Sequence, residues 1–267
     1  MTPSRVAAIV LRQVYLMRGS PQRVLPIFAW VAVDILLWGF ITRYLNAVGR
    51  SGFNFVPALL GAVLLWDFLT RVMQGVTMAF FEDVWSRNFL NFFATPLRIS
   101  EYLAGLVAMG VTTSLVALLV MLALARVAFG LSFAGFGLAL APLLMVLFLT
   151  GIALGIAGAS IVLRLGPASE WLIWPIPTLV SPFVGVFYPV TILPAWMRAI
   201  SSILPPTYVF QGLREVVAGK PAPWDQLGIG LGLAVAFVVL ACLMFATVYR
   251  YAIRTGLIAR YSAETVS

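Results

Sequence analysis

The sequence predicts an all-α integral membrane protein with six transmembrane helices. Of its 267 residues, 62% are hydrophobic and only 10% are charged, whereas soluble domains carry about 25% charged residues. Apolar runs of about twenty residues recur along the chain, and each is long enough to cross a bilayer. Basic residues gather at the ends of these runs, which explains the net charge of +8 better than binding to nucleic acid does.

Residue types needed for several kinds of chemistry are missing from the sequence. The chain has no His and one Cys, Cys242, which excludes internal disulfides, Cys/His metal sites and His-based catalytic triads. The one Lys, Lys220, precedes Pro221, so a GxxxxGK[ST] phosphate-binding loop is absent. We therefore expect neither a catalytic site nor a cofactor or metal site in this chain.

The N-terminal residues 1–23 are predicted to form an amphipathic helix on the cytoplasmic membrane surface. Apolar side chains recur there at helical spacing between arginines. Thr2 and Pro3 suit the N-cap and the first helical position. The first span follows directly, so this helix would lie at the membrane boundary.

Charged residues within the first two spans predict an intramembrane ion pair. The predicted spans cover residues 24–44, 55–80, 103–125, 136–163, 171–190 and 226–249. Asp34 lies in the first span, and Asp67 and Arg71 lie four residues apart in the second, a spacing that allows pairing on one helix face. An ion pair that locks the two spans together is the favoured interpretation, and a proton or ion relay is the alternative.

Segment 82–99, between spans two and three, is the one long polar interruption in the apolar sequence. Its aromatic residues recur at i, i+4, i+7 and i+8, which predicts a short amphipathic helix. Asp83 can cap this helix and pair with Arg87, Pro96 can end it, and Ser100 can cap the next helix. Such an element is suited to contact a partner outside the membrane. The predicted contact residues are Asp83, Trp85, Ser86, Arg87, Phe89, Asn91 and Phe92.

The fourth and fifth spans carry different packing signals. Gly151, Gly155 and Gly158 give the fourth span a face of small residues for close helix packing. The fifth span contains four prolines, so we expect a kinked or broken helix. Its aromatic residues are either anchors at the lipid interface or a candidate substrate surface. The candidate path residues are Trp174, Phe183, Phe187 and Tyr188.

Segment 191–220 is predicted to contain two short amphipathic helices separated by Pro205 and Pro206. Each is about a dozen residues long, too short to span a bilayer. Thr207 is the predicted cap of the second helix, and Gly219 its end. A re-entrant hairpin is favoured over a pair of flat interfacial helices. Its predicted gate residues are Trp196, Pro205, Pro206 and Phe210.

Six crossings place both termini, including the tail 250–267, on one side of the membrane. With that side as the cytoplasm, it holds ten basic residues. The opposite side holds six: Arg43, Arg50, Arg126, Arg198, Arg214 and Lys220. This bias favours cytoplasmic termini. The whole chain, residues 1–267, is predicted to form one membrane domain.

Two stretches carry a family resemblance, RNFLNFFATPLRISEYLAG after span two and LPAWMRAISSILPPTYVFQGLREV before span six. With them, the chain resembles the membrane-permease family of type-2 ABC exporters, which includes exporters of drugs, polysaccharides and lipid-linked glycans. The resemblance implies a permease in the bacterial plasma membrane that pairs, usually as a homodimer, and binds two cytoplasmic ATPase subunits. ATP and Mg would then be bound by the ATPases.

The resemblance also implies roles for the polar segments. Segment 82–99 would be the coupling helix that docks on the ATPase, the N-terminal helix would brace it, and the hairpin would close the outer side of the path. The spans offer few polar groups, which favours an amphipathic, lipid-linked or hydrophobic cargo in contact with membrane lipid.

Two other functional classes remain alternatives. A secondary transporter or channel calls for inverted repeats and ionisable groups at the midplane, and no convincing repeat is present in the sequence. A membrane enzyme acting on lipid calls for a cluster of nucleophile, base or metal ligands, for which the sequence offers few candidates.

Overall fold

The computed structural model describes residues 2–19, 21–48, 56–85, 95, 97–131 and 133–257, and within them the chain is helical and contains no strand. Nine α-helices occur in these residues: α1 (Pro3–Arg18), α2 (Pro21–Val48), α3 (Gly61–Trp85), α4 (Ile99–Phe129), α5 (Leu140–Leu165), α6 (Ile176–Val184), α7 (Ala195–Ser201), α8 (Pro205–Val217) and α9 (Trp224–Arg254). A π-helical turn (Val56–Leu60) precedes α3. Short 3-10 helices, Phe133–Ala139, Pro167–Leu172 and Val190–Ile192, precede α5, α6 and α7.

Five helices of the described residues are long and apolar enough to cross a membrane. They are Ala29–Val48, Val56–Val84, Ile99–Phe129, Phe136–Leu165 and Trp224–Arg254, and they correspond to predicted spans one, two, three, four and six. The prediction of an all-helical membrane protein is therefore confirmed.

The predicted fifth span, residues 171–190, is a broken segment. Its α-helical part is α6, whose nine residues rise only about 13 Å at 1.5 Å per residue. Pro175 is the N-cap of α6, and Gly185 ends the helix in the left-handed conformation at φ 68°, which glycine adopts without steric cost. The prolines correctly predict an interrupted helix, but the short helix does not reach across a bilayer by itself.

Two predicted helix caps are wrong. The N-cap of α4 is Arg98, two residues before Ser100, and the N-cap of α8 is Leu204, three residues before Thr207. Helix α8 begins directly at its proline pair, because proline at the first helical position needs no hydrogen-bond partner for its nitrogen. The predicted N-cap Thr2 is confirmed.

Helix α5 occupies the centre of the fold and packs against α3 and α9. Its contact with α3 is made by the predicted glycine face. A Cβ atom on Gly151 would lie 2.7 Å from Val72 Cβ, and one on Gly155 would lie 2.8 Å from Val76 Cβ. Both glycines also face carbonyl oxygens of the α3 backbone. The small-residue face thus allows two long helices to approach at backbone distance.

We expect the substitution Gly151→Ala to lower the stability of the helix bundle. The new methyl group would force α3 and α5 apart, and overpacking of this kind costs about 1–3 kcal/mol, or on the order of 5 °C in melting temperature. Gly228→Ala in α9 is the matched control, since a Cβ there meets no atom within 4 Å. Thermal unfolding in detergent measures both, and equal melting temperatures would contradict the close α3–α5 contact.

Candidate functional site

Asp83 lies in the last turn of α3 and is fully buried between two partners. Its Oδ2 accepts a 2.7 Å hydrogen bond from the hydroxyl of Tyr102 in α4. Its Oδ1 lies 2.5 Å from Nη1 of Arg12 in α1. The prediction that Asp83 caps a separate helix is therefore wrong, because α3 continues through this residue to Trp85 and the carboxylate points into the bundle.

Glu101 forms a second buried link between α1 and α4. Its Oε1 accepts hydrogen bonds from the backbone nitrogen of Thr2 at 2.8 Å and from the Thr2 hydroxyl at 2.9 Å. Its Oε2 accepts one from the Arg98 nitrogen at 3.1 Å and lies 3.2 Å from Nη1 of Arg5. An acidic residue at the third helical position satisfies exposed N-terminal donors of its own helix, and here it also holds the start of α1.

Together these residues connect α1 to the C-terminal end of α3 and to the N-terminal end of α4. These two helix ends lie on either side of segment 86–94 in the sequence. We call Arg5, Arg12, Asp83, Glu101 and Tyr102 the clamp. Packing adds to it, because Ile9 of α1 fills the space above Gly105, where a Cβ would lie 2.6 Å from the Ile9 side chain. The N-terminal helix predicted from the sequence is thus seated on the ends of α3 and α4.

The remaining residues of the predicted contact segment lie at the edge of the described part or outside it. Ser86, Arg87, Phe89, Asn91 and Phe92 are outside the described residues, and Trp85 is described only as the last residue of α3. Their predicted contact with a partner stays a prediction.

A cavity of about 650 Å³ opens beside the clamp, between α1, α2, α3 and α4. Polar residues along one face of α3 line it, namely Asp67, Thr70, Arg71, Gln74 and Glu82. Gln13 from α1, Asp34 from α2, and Thr113 and Ser114 from α4 complete its polar lining. The cavity therefore follows α3 from its middle to the end that carries the clamp.

The three predicted ion-pair residues meet inside this cavity. Arg71 Nη2 lies 3.4 Å from Asp67 Oδ1 and 3.8 Å from Asp34 Oδ2, and Arg71 Nε donates a 3.4 Å hydrogen bond to Asp67 Oδ2. The pair with Asp34 joins α2 to α3 across the cavity, as the sequence suggested.

The rest of the polar stripe on α3 was not predicted from the sequence. Thr70, Gln74 and Glu82 follow Asp67 at i+3, i+7 and i+15, so they fall on one helix face. Polar residues at this spacing within an apolar span were the available signal. The stripe indicates a water-accessible surface within the bundle.

One of the four aromatic residues predicted to line the path lies at the cavity. Trp174 lines the cavity. The other three residues lie elsewhere: Phe187 stacks on Trp38 with ring centroids 5.2 Å apart, Phe183 meets Trp196 edge to face at 6.2 Å, and the Tyr188 hydroxyl donates a hydrogen bond to the Pro182 carbonyl.

The predicted gate residues divide between the inside and the outside of the bundle. Pro205, Pro206 and Phe210 are buried, and Phe210 lies 6.0 Å from the Trp66 ring of α3. Trp196 of α7 is 62% exposed. Helix α8 ends at Val217 with Ala218 as its C-cap, and Gly219 follows with φ 74°, at the position where the sequence predicted the end.

Arg214, which the sequence analysis did not single out, fastens α8 to the turn after α6. Its guanidinium donates hydrogen bonds to the carbonyl oxygens of Phe210 at 2.9 Å, Tyr188 at 2.8 Å and Val186 at 3.2 Å, and also to that of Gly185. A planar guanidinium has five N–H donors, so one side chain can organise this turn.

Comparison with known families matches residues 46–247 to the family model described as ABC-2 family transporter protein. The chain belongs to the ABC-2 transporter family. The match covers α3 to α9 except the last turns, and it begins after α1 and most of α2. No curated protein matches the chain. Membership makes the protein an ABC transporter permease, an integral membrane transport subunit of a kind that works with ABC ATPase subunits in general.

Within the described residues, no three Asp, Glu or Cys side chains lie close enough to hold a metal ion. The expectation that this ABC-2 permease binds no cofactor or metal stays a prediction.

Proposed function

We propose that this permease is the membrane subunit of an ATP-driven exporter, in which two copies form the path and two separate ATPases bind segment 86–94. The clamp is the observation that carries this proposal. It ties the helices on both sides of the segment to α1 through buried carboxylates. A load applied to the segment would therefore move α1, α3 and α4 as one body.

The buried links suit a mechanical role. Breaking a buried ion pair by removing one partner costs about 3–5 kcal/mol, so the clamp would resist local deformation during ATP-driven movement. Motion of α3 would reach α5 through the glycine contact at Gly151 and Gly155. ATP closure of the ATPases would thus tilt the central helices of the bundle.

A sixth crossing through the broken segment completes the proposed topology. Ile173 lies against Gly158 near the clamp end of the bundle, whereas Phe187 stacks on Trp38, well along α2. These contacts support a path from one membrane side toward the other. Both termini would then lie in the cytoplasm of a bacterial cell, with the permease in its plasma membrane.

Helices α7 and α8 would form the re-entrant hairpin that closes the outer side. The burial of Pro205, Pro206 and Phe210 favours this arrangement over helices lying flat on the lipid surface. The cargo would be an amphipathic, lipid-linked or hydrophobic molecule, because the chain is only 10% charged and its spans offer few polar groups.

We expect Arg87→Ala and Phe89→Ala to weaken ATPase binding about tenfold or more, because Arg and aromatic anchors contribute about 2 kcal/mol or more at interfaces. Permease and ATPase are co-expressed, and binding and permease-stimulated ATP hydrolysis are measured. Arg126→Ala, at the exposed end of α4, is the matched control. Unchanged binding and hydrolysis in both segment variants would contradict the proposed docking site.

A further inference from the structure

The cavity between α2 and α3 has an unbalanced charge. Two carboxylates, from Asp34 and Asp67, line it around the guanidinium of Arg71. In a membrane, such charges interact more strongly than in water, because the effective dielectric constant is lower. The lining therefore favours a cation over an anion.

The ion pair leaves one carboxylate available to a ligand. Arg71 contacts Asp67 through two nitrogens at 3.4 Å, but its distance to Asp34 is 3.8 Å. The Asp34 side chain is 40% exposed, against 15% for Asp67. A positively charged group entering the cavity can thus replace Arg71 at Asp34, while Asp67 keeps the guanidinium neutralised.

Apolar and aromatic side chains stand beside these charges. Trp30 and Trp174 line the cavity and are 62% and 44% exposed, and Met17, Met78 and Met109 are also in its wall. Exposed indole faces attract cations, and Met side chains adapt to ligands of varied shape. The volume of about 650 Å³ falls in the range that holds a drug-sized ligand.

We infer that this cavity is a binding site for a lipophilic cation, with the positive charge at Asp34 and the apolar part against Trp30 and Trp174. The inference rests on the proposed transport function and names the chemical class of its cargo. Glu82 lies about 22 Å along α3 from Asp67 at 1.5 Å per residue, so carboxylates mark both ends of the cavity.

Two probes of nearly identical shape and opposite charge test this site. Tetraphenylphosphonium and tetraphenylborate are each dialysed to equilibrium against the permease in nanodiscs of zwitterionic lipid, and empty nanodiscs correct for partitioning. We expect specific binding of the cation at least about tenfold tighter than that of the anion, a factor that corresponds to about 1.4 kcal/mol. Equal affinity for the two probes, or none for the cation, would overturn the inference.

Charge-removing variants locate the binding. The variant D34N is expected to bind the cation about tenfold more weakly and to lose the preference between probes, because the carboxylate that faces the positive charge is gone and Arg71 neutralises Asp67. Asp225→Asn, at the exposed start of α9, is the matched control and should bind as the unaltered permease does. Unchanged cation binding by D34N would place the site elsewhere and overturn the assignment.

Binding by the permease and coupling to the ATPase are separate measurements. Absence of cation binding by the unaltered permease, together with intact permease-stimulated ATP hydrolysis, would overturn this inference and leave the proposed exporter standing. Cation binding at Asp34 without any ATPase association would support the site and remove the proposed exporter role.

Discussion

Replacing Asp83 with alanine is expected to lower the free energy of unfolding by about 3–5 kcal/mol, because it leaves Arg12 and the Tyr102 hydroxyl without their shared buried acceptor. We also expect ATP hydrolysis to become uncoupled from the permease, since α1 would no longer hold the end of α3. Chemical unfolding in detergent measures the first effect, and permease-stimulated ATP hydrolysis measures the second.

A variant in which Arg12, Asp83 and Tyr102 are all replaced by apolar residues separates the effect of the buried charges on stability from the effect of packing. Buried ion pairs can often be replaced by apolar residues of similar volume at little cost, so R12M/D83L/Y102F should regain most of the stability lost in Asp83→Ala. Asp225→Asn is the control for removing an exposed carboxylate. If Asp83→Ala unfolds like the unaltered permease, the clamp is not a structural link.

Replacing Arg214 with methionine is expected to release α8 from the turn after α6. Methionine retains an apolar side chain of similar length but leaves the carbonyl oxygens of Gly185, Val186 and Tyr188 without the guanidinium donor. A hydrogen bond to a charged group contributes about 1.5–3 kcal/mol to stability, and several are lost here, so we expect a loss on the order of 3 kcal/mol or more.

Hydrogen exchange followed by mass spectrometry gives this prediction a local measurement. Amides of residues 185–190 should exchange faster in Arg214→Met, while those of the α3–α5 contact stay protected. Arg198→Met on the exposed face of α7 is the matched control. Equal exchange of this turn in both variants would show that Arg214 does not organise it.

The features of the fold that were predicted correctly are those set by residues a few positions apart in one helix. The i, i+4 pair of Asp67 and Arg71 and the glycine face of α5 follow from helical periodicity alone. The prolines of the broken segment also predict an interruption. They do not predict where α6 ends, because Gly185 is one of several glycines and prolines that could terminate it.

The clamp depends on long-range contacts that periodicity does not reveal. Arg12 and Asp83 are far apart in the chain, and charges at the ends of spans are expected from membrane topology alone. One sequence signal was available, since Arg5 and Arg12 are seven residues apart and lie on one face of α1. This face of α1 contacts two acidic residues, Asp83 at the end of α3 and Glu101 at the start of α4.

The prediction that Asp83 caps a separate helix was wrong for a related reason. Its spacing to Arg87 suits a local pair, and the carboxylate is buried toward Tyr102 and Arg12. A local pair on an exposed helix contributes only about 0.5 kcal/mol, whereas a buried carboxylate without partners is far more costly. The tertiary contacts therefore determine its orientation.

Site-specific photocrosslinking tests the central claim most directly. A photoreactive phenylalanine analogue placed at Phe89 should crosslink the permease to its co-expressed ATPase, whereas the same analogue at Val127, exposed at the far end of α4, should not. A crosslink to the ATPase from position 127, or none from position 89 in a complex that co-purifies and hydrolyses ATP, would contradict the proposal that segment 86–94 is the docking site.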